Sequence, residues 1–553
     1  MHCITFYVVF DIYKHIFFKF YGGNSSSYGR EPFEDVLTEV FMSQTQTPEF
    51  SKLRSFFWPV YAYELKKLLP MLLMFFFINF NYTILRDTKD TLVVTASGPE
   101  TILFLKTWGV APCAVIFLLV YAKLSNILSR ENLFYAAILP FLLFFGLFVT
   151  VLYPNRDMLH PNETADYIQS LLPLGFHGLV SCFRNWTYSL FYILAELWGS
   201  AVLSLMFWGF ANEITRVTES KRFYTLFGLG ANVAMLFSGP FIVYVSDIRK
   251  HLPENMDAWQ VSLNYLISMV ILAGISVIAI YWWMNRNVLT DARYYDPSEE
   301  KKKKSKPKMG IFESFAYLAK SKYILCIAIL VIAYGISINL VEVTWKGQLK
   351  LQYPNPNDYS TFMGKFSFLT GATTILMLFL GGFIIRKKGW GFAAMITPIV
   401  LLVTGGLFFT FVIFRDYESV AGYIAMMGTS PLMLAVIFGM LQNILSKSTK
   451  YSLFDPTKEM SYIPLDQESK VKGKAAIDVV GARLGKSGGA FIQQALVIVL
   501  GTVAAITPYI AIAMGVIIVL WLFAVRSLNK QFVELTEQPK VAKEAPQVAT
   551  ASS

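Results

Sequence analysis

Charge is what this chain has little of. Only 15% of its 553 residues are Asp, Glu, Lys or Arg, against about 25% in soluble domains, and that makes a water-soluble enzyme a poor fit. Its four cysteines, Cys3, Cys113, Cys182 and Cys326, stand far apart, so neither a disulfide framework nor zinc-type spacing follows. The five histidines, His2, His15, His160, His177 and His251, are equally scattered. No metal site and no cofactor is implied. What is abundant is apolar: 55% hydrophobic residues and 47 Phe, gathered in long runs, and a bilayer span needs about 20 such residues. The fold class that follows is an all-α polytopic membrane protein.

The runs predict twelve helices, at roughly 68–86, 103–122, 133–153, 185–211, 223–246, 262–284, 323–345, 362–384, 391–414, 427–445, 484–503 and 505–526. They divide the chain into a cytoplasmic or interfacial segment (1–67), a first six-helix half (68–285), a basic cytoplasmic linker (286–322), a second half (323–526) and a cytoplasmic tail (527–553). The opening MHCITFYVVFDIYKHIFFKF is broken by Asp11, Lys14 and Lys19 and lacks a cleavage pattern, which argues against a signal peptide. An amphipathic surface helix and a true start at Met42 explain it equally well.

Loops expected on the side of the termini carry Lys123 and Arg130; Arg216, Lys221 and Arg222; Arg286, Arg293 and the KKKKSKPK run; Arg386, Lys387 and Lys388; and Lys447, Lys450, Lys458, Lys470, Lys472 and Lys474. The other side, leaving aside the charged segments after the first and seventh spans, offers only Arg156, Arg249, Lys250 and Arg415. By the positive-inside rule both termini are cytoplasmic. The same bias supplies most of the net charge of +11, so nucleic-acid binding is not needed to explain it. Anionic lipid is a fitting neighbour for the linker.

Two segments recur in corresponding places. NYTILRDTKDTLVVTASG follows the first predicted span and NLVEVTWKGQLKLQYP the seventh, while Gly-rich stretches follow the fourth and tenth. Such a repeat predicts a six-plus-six, major-facilitator-like arrangement around a central site. Gly228, Gly230, Gly239, Gly481, Gly485, Gly488 and Gly489 would allow close helix approach. GARLGKSGG is one residue short of a phosphate-binding GxxxxGK[ST] loop and borders a membrane helix, so ATP hydrolysis is not implied.

Ionisable residues at membrane depth are expensive and mark function. Glu196 lies midway along a predicted span. Arg184 and Asn185 begin that span, Lys106 lies near the start of the second, Glu342 sits in INLVEVTWKG, and Arg483 and Lys486 begin the eleventh. Arg86, Asp87, Lys89 and Asp90 form the dense group RDTKD. Several cations between two helical halves suit a polyanion such as a phosphate ester, with arginine gripping two oxygens and lysine acting as a point charge. The carboxylates would balance those cations in the empty state or carry a proton; structural ion pairing is the plainer alternative. Tyr82, Trp108, Trp186, Tyr188, Tyr192, Trp198 and Trp345 are candidates for base stacking or for interfacial anchoring.

The segments YTILRDTKDTLVVTASG, FRNWTYSLFYILAELWGSAVLSLMFWGFANEIT, EVTWKGQLK and VKGKAAIDVVGARLGKSGGAFIQQ closely resemble the ATP/ADP translocases of obligate intracellular bacteria and plastids, the chlamydial type most nearly. The resemblance runs from about residue 60 to 530. It implies a secondary transporter in a bacterial inner membrane that takes up host ATP in exchange for ADP, with phosphate moving alongside ADP and no bond made or broken. It also implies that Lys89, Glu196, Glu342 and Lys486 are the critical charges, Lys474 being the alternative to the last. Arg86, Arg184 and Arg483 complete the candidate substrate-binding set. Proton-coupled import of nucleoside triphosphates, or carriage of NAD, is the nearest alternative, and a receptor or structural membrane protein the more distant one. Oligomeric state is open.

Overall fold

Inside a bilayer every backbone N–H and C=O has to find a partner within its own segment or a closed barrel, and this chain answers with helix. The computed structural model describes residues 58–291, 293–295, 321–418, 422, 424, 426 and 428–537. Among these residues there is no strand. The long helices are α1 (Leu65–Ser97), α2 (Glu100–Ser125), α3 (Arg130–Leu152), α4 (Trp186–Ile214), α5 (Val217–Ser246), α6 (Ala258–Asn287), α7 (Lys322–Gln352), α8 (Pro356–Ile413), α9 (Pro431–Ser461), α10 (Gln467–Leu500) and α11 (Val503–Glu537).

Ten of the described helices are long and apolar enough to cross a membrane. α8 is two helices joined at Gly389, whose φ of 81° breaks the helical geometry, and the two predicted spans at 362–384 and 391–414 lie on either side of that break. In α10 only the stretch Gly488–Leu500 is strongly apolar. Starts are set by side-chain caps: Ser129, Asp257, Ser321, Asn355, Ser430 and Asp466 each accept a backbone N–H of the first turn. Gly98 and Gly501 end α1 and α10 at positive φ.

Several helices run well beyond their predicted ends. α1 continues through RDTKD to Ser97 and α7 through EVTWKG to Gln352, because the charges there are matched by partners on other helices and need not leave the bundle. α9 runs to Ser461 rather than stopping near 445, which puts Lys447 midway along a helix and not in a loop. The polar run around it, Ser446, Ser448 and Thr449, faces inward and is buried. α10 begins at Gln467, so Arg483 and Lys486 lie within a helix rather than at its start. The predicted α4 start at 185 is instead a break: Arg184 ends a separate short helix, His177–Arg184, and Asn185 has φ −103° and ψ 49°. The N-terminal segment, the KKKKSKPK run and the end of the C-terminal tail lie outside the described residues.

Packing places α5 against α8, where glycines let the backbones meet. A Cβ on Gly239 would lie 2.7 Å from the Gly364 carbonyl oxygen, and one on Gly364 2.8 Å from the Gly239 oxygen. Within the C-terminal helices, a Cβ on Gly335 of α7 would lie 2.6 Å from Gly485 Cα of α10. Outward-facing positions are large and apolar, among them Leu119, Leu143, Phe237, Phe491 and Phe523, as a lipid-facing surface requires.

Candidate functional site

The charged residues of α1, α2, α4 and α7 meet in one alternating chain. Lys89 Nζ stands 3.2 Å from Glu196 and 2.9 Å from Asp90. Asp90 turns its other oxygen to Lys346, at 2.8 Å. Lys346 continues to Glu342, at 3.1 Å, one helical turn back on α7. Glu342 in turn lies 3.4 Å from Lys106. The order Glu196, Lys89, Asp90, Lys346, Glu342, Lys106 is therefore minus, plus, minus, plus, minus, plus. Formal charges cancel, and the chain passes from the N-terminal helices to α7 and back.

Burial grades along it. Lys89, Asp90 and Lys346 expose 2–3% of their side chains, whereas Glu196 exposes 34%, Glu342 25% and Lys106 21%. The centre is a dry ion triad and the flanking groups reach an accessible space. A buried ion that loses its partner is strongly destabilising, so the centre holds together as a unit. Lys89 also rests on the face of Tyr192, 3.9 Å from the ring centroid, a cation–π contact that needs no proton acceptor. The hydroxyls of Tyr192 and Tyr359 are buried without a hydrogen-bond partner among the described residues.

Local backbone irregularity frames the chain. Lys106 sits in a π-helical turn, Leu105–Val110, and a longer π-helical segment, Gly199–Phe207, begins directly after the turn carrying Glu196. Such wide turns recur at functional sites because they re-aim side chains. Gly199 is needed there: a Cβ would come within 2.6 Å of the Tyr82 ring.

A second cluster lies a turn back along α1. Arg86 contacts Asp87 at 3.1 Å and donates to Ser367 Oγ of α8 at 2.8 Å, and Ser367 donates to Asp87 Oδ2 at 2.5 Å. Lys89, Glu196, Glu342 and Arg86 are thus brought into one region. Arg184 is not: it pairs with Asp166 of the segment between α3 and α4. Nearby, burial lowers the pKa of His160, whose Nε2 lies 2.7 Å from Thr187 Oγ1. Arg483 and Lys486 are placed by the backbone of α10; their side chains lie outside the described residues.

Two members of the chain, Asp90 as a bridge and Lys346, carry more weight here than the sequence assigned them. Lys346 could have been found from its i+4 spacing to Glu342 and its place in the second copy of the repeat. Of the candidate aromatics, Trp198 and Trp345 are packed away with their indole N–H groups on the carbonyls of Ile78 and Val436. Trp186 donates to the Leu159 carbonyl, and Trp108 is exposed. Among the described residues no cluster of three or more His, Cys, Asp or Glu could hold a metal.

Further hydrogen bonds join the N-terminal helices to the C-terminal ones. Asn357 donates to Ser246 O at 3.1 Å and to Ser262 Oγ at 2.7 Å, Ser246 bonds Ser360 at 2.8 Å, and Arg249 pairs with Asp358 at 2.6 Å. These contacts gather at the end of the bundle where α1, α5 and α7 finish and α8 begins, called the distal end below.

The family described as TLC ATP/ADP transporter matches residues 43–532. The chain is 61% identical over 495 residues to ADP,ATP carrier protein 1 of Chlamydia trachomatis, covering 89% of this chain and 93% of that one. It is 53% identical over 482 residues to the chloroplastic ADP,ATP carrier protein 1 of Arabidopsis thaliana, covering 87% and 76%. In fold it is similar to a bacterial homologue of the iron transporter ferroportin solved in an inward-facing state, with a TM-score of 0.51 at 12% identity, covering 87% and 100%.

Proposed function

This chain belongs to the TLC ATP/ADP transporter family, a family of transporters rather than enzymes, and we propose that it exchanges ATP for ADP across the membrane by alternating access. The observation that carries this reading is the ion chain that ties the two sets of helices together through Asp90 and Lys346. Substrate phosphates compete with carboxylates for lysine. An arriving nucleotide would take over Lys89 or Lys106, release Glu196 or Glu342, and so weaken the tie between α1 and α7. An empty carrier keeps its pairs and changes state only at the cost of exposing buried charge.

In this mechanism Lys89 and Lys486 draw phosphate oxygens from opposite sets of helices, while Glu196 and Glu342 hold the lysines between turnovers. Arg86 and Arg483 add positive potential to the path, and Arg184 acts at the distal mouth. Phosphate accompanying ADP would offset the charge otherwise moved when ATP4− replaces ADP3−, which sets the voltage dependence. The protein would sit in a bacterial inner membrane, with both termini cytoplasmic by its charge bias, and the linker 286–322 would rest against anionic lipid.

The test is uptake of labelled ATP into proteoliposomes loaded in turn with ADP, ATP, phosphate or buffer, with no proton gradient. Uptake that depends on internal adenine nucleotide is expected. Equal uptake into buffer-loaded vesicles would overturn exchange in favour of net import.

A further inference from the structure

Among the described residues, Lys447 is an interior cation that no carboxylate pairs. Lys89, Lys106, Lys346 and Arg86 each touch a carboxylate. Lys447 has no ion-pair or hydrogen-bond partner among the described residues; its ammonium instead lies over the Phe366 ring, 5.0 Å from the centroid. It stands midway along the 31-residue span Pro431–Ser461. At 1.5 Å per residue that is about 20 Å from either end, too far for a lysine side chain to reach the aqueous interface. An unmatched charge at that depth is costly unless a cavity or an anion receives it.

Its surroundings are built rather than incidental. Ser446, Ser448 and Thr449 are buried on either side of it, and Ser448 bonds Thr374 of α8 at 3.0 Å, so the α9 backbone at Lys447 is held in place. Phe366, under its ammonium, is adjacent to Ser367, which receives the Arg86 guanidinium. Lys447 on α9 and Arg86 on α1 therefore reach the same turn of α8 from different helices. Arg86 uses Nε on Asp87 and Nη2 on Ser367; Nη1 makes neither of these bonds. The charged groups within electrostatic reach of Lys447 include Arg86, Glu342, Lys346 and Asp87. The two carboxylates already serve other cations.

We infer that Lys447, with the Nη1 edge of Arg86, forms a phosphate subsite for the polyphosphate tail of the nucleotide, separate from the paired ion chain. It needs no carboxylate to be displaced, so it can receive the anion first, after which the chain at Glu342 is within reach. The inference rests on the nucleotide-exchange reading above and adds to it a residue and an order of contact.

The experiment measures exchange by wild type, Lys447→Gln and Lys447→Arg in proteoliposomes, with inorganic tripolyphosphate as competitor. Loss of one charge-assisted phosphate contact raises KM for ATP roughly tenfold, weakens tripolyphosphate inhibition by a similar factor, and is largely rescued by arginine. A merely structural lysine would lower thermal stability and rate while leaving tripolyphosphate inhibition unchanged, and that result overturns the inference. Should Lys447→Gln fail to fold, Lys447→Met keeps the stem over Phe366 and answers the same question. If wild type shows no exchange, the exchange reading fails, and thermal stabilisation of the purified protein by tripolyphosphate alone decides the subsite: a shift lost in the Lys447 variant supports it, and an equal shift in both sinks it.

Discussion

The two ends of the bundle use ion pairs differently. At the proximal end, where α1 begins and α11 finishes, pairs stay within one set of helices: Lys67 with Glu219 at 2.7 Å, Arg222 with Glu64, Arg130 with Glu213, and Lys474 with Glu459 at 2.6 Å. Toward the distal end some cross between sets, as do Lys346 with Asp90 and Arg249 with Asp358, beside others that stay within the N-terminal set, Arg184 with Asp166 and Arg156 with Asp257. Pairs within a set stiffen it as a body, and the crossing pairs hold the two bodies against each other. A carrier that rocks one body on the other has to keep the first kind and break the second.

Mutations can break that comparison, beginning where the effect is largest. Glu342→Gln strands Lys106 and leaves Lys346 with Asp90 as its one carboxylate, so exchange should fall to near background, with about 3 kcal/mol of stability lost, read as uptake rate and melting temperature in detergent. Next, Asp90→Asn and Lys346→Gln should be non-additive, with a coupling of about 1–3 kcal/mol in a double-mutant cycle. Glu219→Gln, which takes the ion pair from the equally buried Lys67 at the proximal end and leaves it the Tyr294 carbonyl, should lower melting temperature without changing KM for ATP. A KM shift there as large as at Asp90 would erase the distinction between the ends.

A smaller effect is expected of Gly364→Ala. Its methyl would press on the Gly239 carbonyl and push α5 from α8, costing about 1–3 kcal/mol and slowing exchange, whereas Gly209→Ala meets nothing within 4 Å and should be silent. Smallest is Arg249→Ala. Its pair with Asp358 is solvent-exposed on both sides, so the change should be at most about 1 kcal/mol and should vanish at high salt.

The sequence was most legible where a charge interrupts an apolar run. Glu196 and Glu342 are visible as intramembrane charges by that contrast alone, Lys89 as part of a dense charged group just past a predicted span, and the family follows from long matching strings. Helix ends were legible only roughly: α3 starts at Arg130, behind its Ser129 cap, against a reading of 133, and α1 runs to Ser97, before Gly98, against a reading of 86. Where polar residues face a partner inside the bundle, hydropathy reads them as a loop. That is why α1, α7 and α9 were cut short and why Lys447 was counted among loop cations. Pairing across helices is set by tertiary contact, so neither the Asp90 bridge nor the turn of Arg184 toward Asp166 could be read along the chain.

The most direct test of a distal tie that has to open is a reversible one. In a protein with its four native cysteines replaced, Ser246→Cys and Ser360→Cys would place two thiols where hydroxyl oxygens now lie 2.8 Å apart. Oxidation to the cross-linked form should stop ATP/ADP exchange, and reductant should restore it. Fully cross-linked protein that exchanges nucleotide at the rate of the reduced form would contradict the account.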